Sequence, residues 1–144
     1  YSLSASIKEP INAPRRAVTD EHYKVAVARL GNRIRVAGCA ELGGTPDRKR
    51  ESSLQTLYKV LHDWFPGAAS RINTIQEWKG NQPMFPDGPP VVGHGGQPGL
   101  WLNIGHGSNG WALACGSARA LADQVLGHQP ELDMRSFDLA RLAN

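Results

Sequence analysis

Only two cysteines, Cys39 and Cys115, occur in 144 residues. That is too few for a small secreted fold built on disulfides. Their apolar or small neighbours suit two buried free thiols in a reducing compartment. No run reaches the ~18 uninterrupted apolar residues of a membrane span, and no signal peptide is recognisable. A basic stripe with interleaved aromatics is also missing, which argues against a nucleic-acid partner. The one basic cluster, Arg48, Lys49 and Arg50, reads as a solvated turn. His22, His62, His94, His106 and His128 show no HExxH spacing and join no carboxylate, so no metal site is expected. Ser108 and Ser117 have no His/Asp partner pattern. With no G-x-S-x-G elbow, a nucleophilic hydrolase is unsupported.

What remains is ordinary for a globular domain: 40% hydrophobic, 20% charged and a formal charge of +3. A chain of this size buries roughly two-thirds of its extended surface. It begins at Tyr1, and Tyr1 to Ile7 already alternates like a strand under way. The expectation is a fragment of something longer.

Period-2 alternation marks the first half. Residues 1–7 form a strand, and residues 16–19 a short second run. Tyr23, Val25 and Val27 alternate with Lys24, Ala26 and Ala28. Gly31 and Asn32 make a two-residue hairpin loop. On the returning strand, Ile34, Val36, Gly38, Ala40 and Leu42 share one face, with Arg33, Arg35 and Glu41 on the other. Leu54, Leu57, Tyr58, Leu61 and Phe65 then make one apolar helical stripe, stopped by Pro66 and Gly67. Residues 72–78 are expected as another strand, and residues 79–90 as a loop. Two short strands follow, at residues 91–92 and 100–104. A helix over residues 109–126 closes on Gly127. Its small residues suit close packing on another backbone, and the tail from His128 reads as irregular. The class is α+β: an antiparallel sheet with helices on one side.

The sharpest local motif is Gly105-His106-Gly107-Ser108-Asn109-Gly110. It matches G-x-G-x-x-G between a strand and a helix. Free N–H groups and the positive dipole end of such a helix suit a ligand carrying negative charge. A Rossmann unit needs a further parallel strand, and the residues after Gly127 contain no apolar strand run. The alternative is a tight strand-to-helix turn whose glycines serve packing alone.

Several strings, read in order, resemble the C-terminal third of bacterial D-amino-acid dehydrogenase of the small-subunit type. They include Asp20-Glu21-His22-Tyr23-Lys24-Val25-Ala26, Arg33-Ile34-Arg35-Val36-Ala37-Gly38, Pro86-Asp87-Gly88, Gly105-His106-Gly107-Ser108-Asn109-Gly110-Trp111 and Ala114-Cys115-Gly116-Ser117. These enzymes are similar to D-amino-acid oxidase and glycine oxidase. The resemblance implies an FAD-dependent oxidoreductase of two domains. It would deaminate D-amino acids or related amines to 2-oxo acids and ammonia, passing electrons to a quinone-type acceptor. Residues 1–90 would belong to the substrate domain, and residues 91–144 would return to the FAD domain. The N-terminal FAD-binding Rossmann part is expected outside this sequence, as a partner. Gly105, His106, Gly107, Ser108, Asn109 and Gly110 would face the flavin. Gln82 stands where the family carries an arginine for the substrate carboxylate, and Phe85 where it carries a threonine. No residue is assigned as catalytic, and the isolated fragment is expected to be inactive. The implied location is cytoplasmic or peripheral on the cytoplasmic face of the inner membrane. Two other readings stay open: a non-catalytic binding module derived from such an enzyme, and an interaction domain that self-associates through a bare apolar sheet face.

Overall fold

The computed structural model describes residues 1–43, 48–69 and 74–143. The chain divides into two compact units, Tyr1–Gly80 and Asn81–Asn144.

The first unit is a five-stranded antiparallel sheet with one helix. β1 is Ser2–Ser6, β2 Val18–Asp20, β3 Val25–Leu30, β4 Arg33–Gly38 and β5 Gln76–Trp78, in the spatial order β2-β3-β4-β1-β5. The β3–β4 hairpin pairs Leu30 with Arg33 across Gly31 and Asn32. Of the two loop residues only Gly31 has positive φ (62°), the pattern of a II′ rather than a I′ turn. Helix α1, Glu51–Trp64, lies on one face. Leu3, Ala5, Val25, Val27, Ile34 and Val36 meet Leu54, Leu57, Val60 and Leu61 in a single core. The expected stripe is there, and Val60 joins it.

Strand parity places both acids of the sheet, with Arg29, on one face and Arg33 and Arg35 on the other. Asp20 pairs with Val25, and Glu77 with Leu3, so both acids lie on the α1 side. There Trp64 Nε1 donates to Asp20 at 2.9 Å and Tyr58 Oη donates to Glu77 at 2.8 Å. Arg33 pairs with Ser6 and Arg35 with Ser4, on the other face. That second face carries small and polar residues such as Ser4, Ala26 and Ala28 together with two exposed large apolar side chains, Leu30 and Trp78.

Two expectations for β4 and its surroundings change. The strand stops at Gly38, because Cys39 takes a left-handed φ of 61° and turns the chain out of the ladder. Ala40 and Leu42 therefore leave the apolar face, and Leu42 is 96% exposed. Of the strand expected over residues 72–78, only β5 is described; residues 72 and 73 lie outside the described residues. The basic cluster is exposed, and it is tied in locally. Lys49 donates to the Glu77 carbonyl, and the Arg50 N–H donates to Tyr1 Oη at the start of α1.

Burial and the Glu77 hydrogen bond push the Tyr58 phenol up to about 12. The folded state thus keeps this proton after the unfolded state, near pH ~10, has lost its own. Stability from this group is complete below that pH and is lost as pH rises toward the folded value. Tyr58 is expected to ionise late in a tyrosinate absorbance titration. Tyr58→Phe should abolish that late phase.

The second unit pairs β6, Val91–His94, with β7, Trp101–Ile104, in an antiparallel hairpin. Helix α2, Gly110–Val125, packs on it. Gly127 (φ 73°) ends the helix in a Schellman arrangement. Its N–H bonds the Gln124 carbonyl at 3.1 Å, and the His128 N–H bonds Asp123 at 2.7 Å. The tail is more ordered than expected, with 3-10 turns at Arg135–Phe137 and Leu139–Ala143. Two strands cover only one stripe of α2. Ala120 is buried, whereas Ala112, Ala114, Cys115, Gly116 and Ala118 are exposed. Cys115 is therefore an exposed thiol, not a buried one, and Cys39 is half-buried. Burial raises the Cys39 thiol pKa, which disfavours the reactive thiolate.

Among the described residues no helix is long and apolar enough to cross a membrane. None of their His, Cys, Asp and Glu side chains form a group of three that could hold a metal ion.

Candidate functional site

The turn that leaves β7 is built by glycine. Gly105 has φ 79° and Gly107 φ 56°, in the left-handed region that costs other L-residues roughly 1–2 kcal/mol. A 3-10 turn, Gly107–Asn109, leads into α2. The motif therefore sits between strand and helix, in the order its spacing indicates.

The structure brings this turn against the Gln82 segment. The Gly107 N–H donates to the Pro83 carbonyl at 2.9 Å. Met84 pairs with His106 in an isolated antiparallel bridge. A Cβ on Gly105 would lie 2.3 Å from Phe85 Cε2, so the Phe85 ring fills the space that glycine leaves. Phe85 to Gly88 then forms a turn closed by the Gly88 N–H on the Phe85 carbonyl at 3.0 Å. These contacts explain why the Pro86-Asp87-Gly88 loop travels with the second unit. Gln82 itself is exposed at the head of this segment.

A residue the sequence did not flag anchors the loop. Arg141 Nε donates to Asp87 at 2.6 Å, its Nη2 donates to the Pro89 carbonyl, and its guanidinium lies 5.6 Å from the Phe85 ring centroid. Nothing in the local pattern could have found it, because Arg141 and Asp87 are 54 residues apart. The Arg141 guanidinium holds the Asp87 carboxyl below its ordinary value. The favourable contribution is then present above the unfolded value of ~3.9 and is lost as pH falls through the lower folded value. Acidification should shift the Arg141 Nε–H resonance toward its unpaired position. Asp87→Asn should give that position already at neutral pH, and an unmoved resonance would sink the assignment.

The outer side of the turn is uncommitted. Ser108 and Asn109 are exposed, and Trp111, in the first turn of α2, is 96% exposed. No side chain caps α2, and its first turn holds no acidic residue. The first N–H groups of a helix lack acceptors within it, so this end can receive an electron-rich group. His106 Nε2 is buried with no hydrogen-bond partner among the described residues. Such an orphaned group costs about 1–3 kcal/mol. A cavity of about 20 Å³ lies elsewhere, lined by Val18, Asp20, Val60 and Trp64 among others. It holds one water-sized body and is too small for an organic substrate.

Comparison with known proteins agrees with this architecture. The family model described as FAD dependent oxidoreductase matches residues 2–124. D-amino acid dehydrogenase from Rhodopseudomonas palustris is 45% identical over 141 residues, covering 98% of this chain and 33% of the relative. D-amino acid dehydrogenase 1 from Mesorhizobium japonicum is 47% identical over 137 residues, covering 95% and 32%. The chain thus spans about a third of the length of the curated relatives it matches. Among solved structures, glycine oxidase from Geobacillus kaustophilus superposes with a TM-score of 0.72 at 23% identity, over 97% of this chain and 38% of the other. Iminodiacetate oxidase from a Chelativorans species gives 0.69 at 17% identity, over 95% and 38%. At these identities the structural likeness speaks for the fold alone.

Proposed function

Because the chain belongs to the FAD dependent oxidoreductase family, we propose that it is the C-terminal part of a D-amino-acid dehydrogenase. The rest of that enzyme supplies the Rossmann part of the FAD domain. On this reading residues 1–90 contribute to the substrate domain and residues 91–144 return to the flavin. The relationship to D-amino acid dehydrogenases, at 45% identity along 98% of the chain, carries the proposal.

The residues present fit the cofactor at one edge. The start of α2 carries no side-chain cap, and His106 Nε2 is buried without a partner among the described residues. His106, Ser108, Asn109 and Gly110 would hold that edge, while Gly105 and Gly107 give the turn its shape. The chemistry a bound FAD supplies is acceptance of a hydride from the substrate α-carbon, after which the imino acid hydrolyses to a 2-oxo acid and ammonia. The positive end of α2 favours the negative charge that accumulates there. The Gln82 segment, joined to the turn through Pro83 and Met84, borders the substrate. Gln82 offers hydrogen bonds to a carboxylate but no charge. A quinone-type acceptor at the membrane surface completes the turnover.

The test uses the full-length, flavin-loaded protein. Anaerobic addition of D-alanine should bleach the flavin and yield a 2-oxo acid and ammonia. A water-soluble quinone should then restore the colour. Bound flavin that no D-amino acid bleaches would overturn the dehydrogenase reading and favour a non-catalytic module.

A further inference from the structure

Within the second unit we infer that Arg141 is a positioning residue: it fixes the proline-rich loop against the glycine turn and so holds that turn in the shape that meets the flavin. The inference rests on the dehydrogenase reading for the identity of the ligand. Its geometry lies wholly within Asn81–Asn144.

The loop is poorly equipped to orient itself. Residues 83–90 include Pro83, Pro86, Pro89 and Pro90, and proline has no N–H to donate. The loop closes one turn of its own, from the Gly88 N–H to the Phe85 carbonyl at 3.0 Å. What it offers outward are acceptors, the Asp87 carboxylate and the Pro89 carbonyl. Arg141 meets both. Its Nε donates to Asp87 Oδ2 at 2.6 Å, and its Nη2 donates to Asp87 Oδ1 at 3.4 Å and to the Pro89 carbonyl. Its Nη1 donates to the Asp138 carbonyl at 3.1 Å, and the guanidinium lies 5.6 Å from the Phe85 ring centroid. A planar fork of fixed donors suits this orienting task better than a flexible ammonium.

Exposed ion pairs contribute little, and the same tail carries one for contrast. Arg135 and Asp133 have side chains 91% and 58% exposed and close only on their own turn. The Arg141 side chain is 14% exposed and reaches 54 residues back along the chain. Its own footing is fixed. Asp138 accepts the Ala140 N–H at 2.7 Å, and the turn Leu139–Ala143 packs on β6. The loop in turn bears on the glycine turn at three points. Phe85 fills the space over Gly105, Met84 bridges to His106, and the Pro83 carbonyl accepts the Gly107 N–H at 2.9 Å. A loop that drifts therefore carries the backbone of residues 105–107 with it, and the His106 ring along with that backbone.

The experiment uses the full-length flavin-loaded protein and its Arg141→Gln, Arg141→Lys and Asp87→Asn forms. Arg135→Gln is the control, since it removes the same charge from the same tail. Three readouts are taken: hydrogen exchange at the Gly107 amide, visible circular dichroism of the bound flavin, and the rate of anaerobic bleaching at saturating D-alanine. In Arg141→Gln the Gly107 amide should exchange roughly 10- to 100-fold faster, the equivalent of one lost charge-assisted bond, while the β3 amides keep their rates. The flavin dichroism should change, and bleaching should slow by roughly 10- to 100-fold, as for a displacement of up to ~1 Å. Arg141→Lys should recover part of each effect. Adding Asp87→Asn to Arg141→Gln should bring little further change, because the two side chains act as one clamp. Arg135→Gln should match the wild type. A lower urea midpoint with exchange, dichroism and bleaching all unchanged would reduce Arg141 to a structural contact and overturn the inference. Additive effects of the two substitutions would overturn it as well, and so would equal changes in Arg135→Gln. Should Arg141→Gln fail to fold, Asp87→Asn decides the matter by the same three readouts. If exchange and dichroism respond while D-alanine never bleaches the wild-type flavin, the positioning role stands and the dehydrogenase reading falls. If D-alanine bleaches the wild type and every variant behaves alike, the reverse holds.

Discussion

Gly105→Ala is expected to destabilise the second unit by about 2–5 kcal/mol, from two separable sources. The first is backbone strain, since an alanine at φ 79° carries a penalty of roughly 1–2 kcal/mol. The second is collision. The new methyl would sit 2.3 Å from Phe85 Cε2 and 2.4 Å from Cδ2, and overpacking of this kind costs typically about 1–3 kcal/mol. A double-mutant cycle with Phe85→Ala separates them. Removing the ring should relieve the collision and leave the backbone cost. Urea melts give the totals. Hydrogen exchange of the Gly107 amide, bonded to Pro83 at 2.9 Å, reports the site itself. Strictly additive substitutions would mean that Phe85 does not pack on Gly105.

Leu57→Ala should cost about 2–5 kcal/mol, the range for emptying a buried leucine site. Leu57 is fully buried where α1 meets the sheet. Its neighbours Leu3, Val27, Ile34 and Val36 come from three different strands, so no single element can shift to fill the gap. Set against a typical stability of about 5–15 kcal/mol, that loss removes a large part of the folded population. Leu57→Met keeps the volume and should cost less than ~1.5 kcal/mol. Urea midpoints at unchanged slope would confirm the effect as stability. A loss below ~1 kcal/mol for Leu57→Ala would contradict a helix-on-sheet core centred on this residue.

Much of the fold was legible because it is written in local periods. Val25, Val27, Ile34 and Val36 alternate, and the Leu54–Leu61 stripe repeats at helical spacing, so the hairpin and α1 could be read directly. The end of β4 could not. Alternation continues through Ala40 and Leu42, and a left-handed Cys39 leaves no compositional mark. The exposure of Cys115 was equally hidden, because small neighbours suit either a buried contact or a bare surface. At the site, the glycines announced a tight turn between strand and helix. What presses on that turn was beyond reach, since Phe85, Met84 and Arg141 come together over separations that no spacing rule spans. Arg35 was visible as one of two outward arginines.

The placement of Arg33 and Arg35 on the face away from α1 also bears on strand register. Sliding β4 by one residue against its neighbours would turn every side chain over. Ile34 and Val36 would then meet water, while Arg33 and Arg35 would be driven under α1. A guanidinium cannot shed its proton to escape an apolar layer, so such a chain would carry two trapped cations. The shifted register would add the cost of burying unpaired charge to the loss of apolar contact. Arg33 and Arg35 thus raise the cost of the one-residue slip above the loss of packing alone.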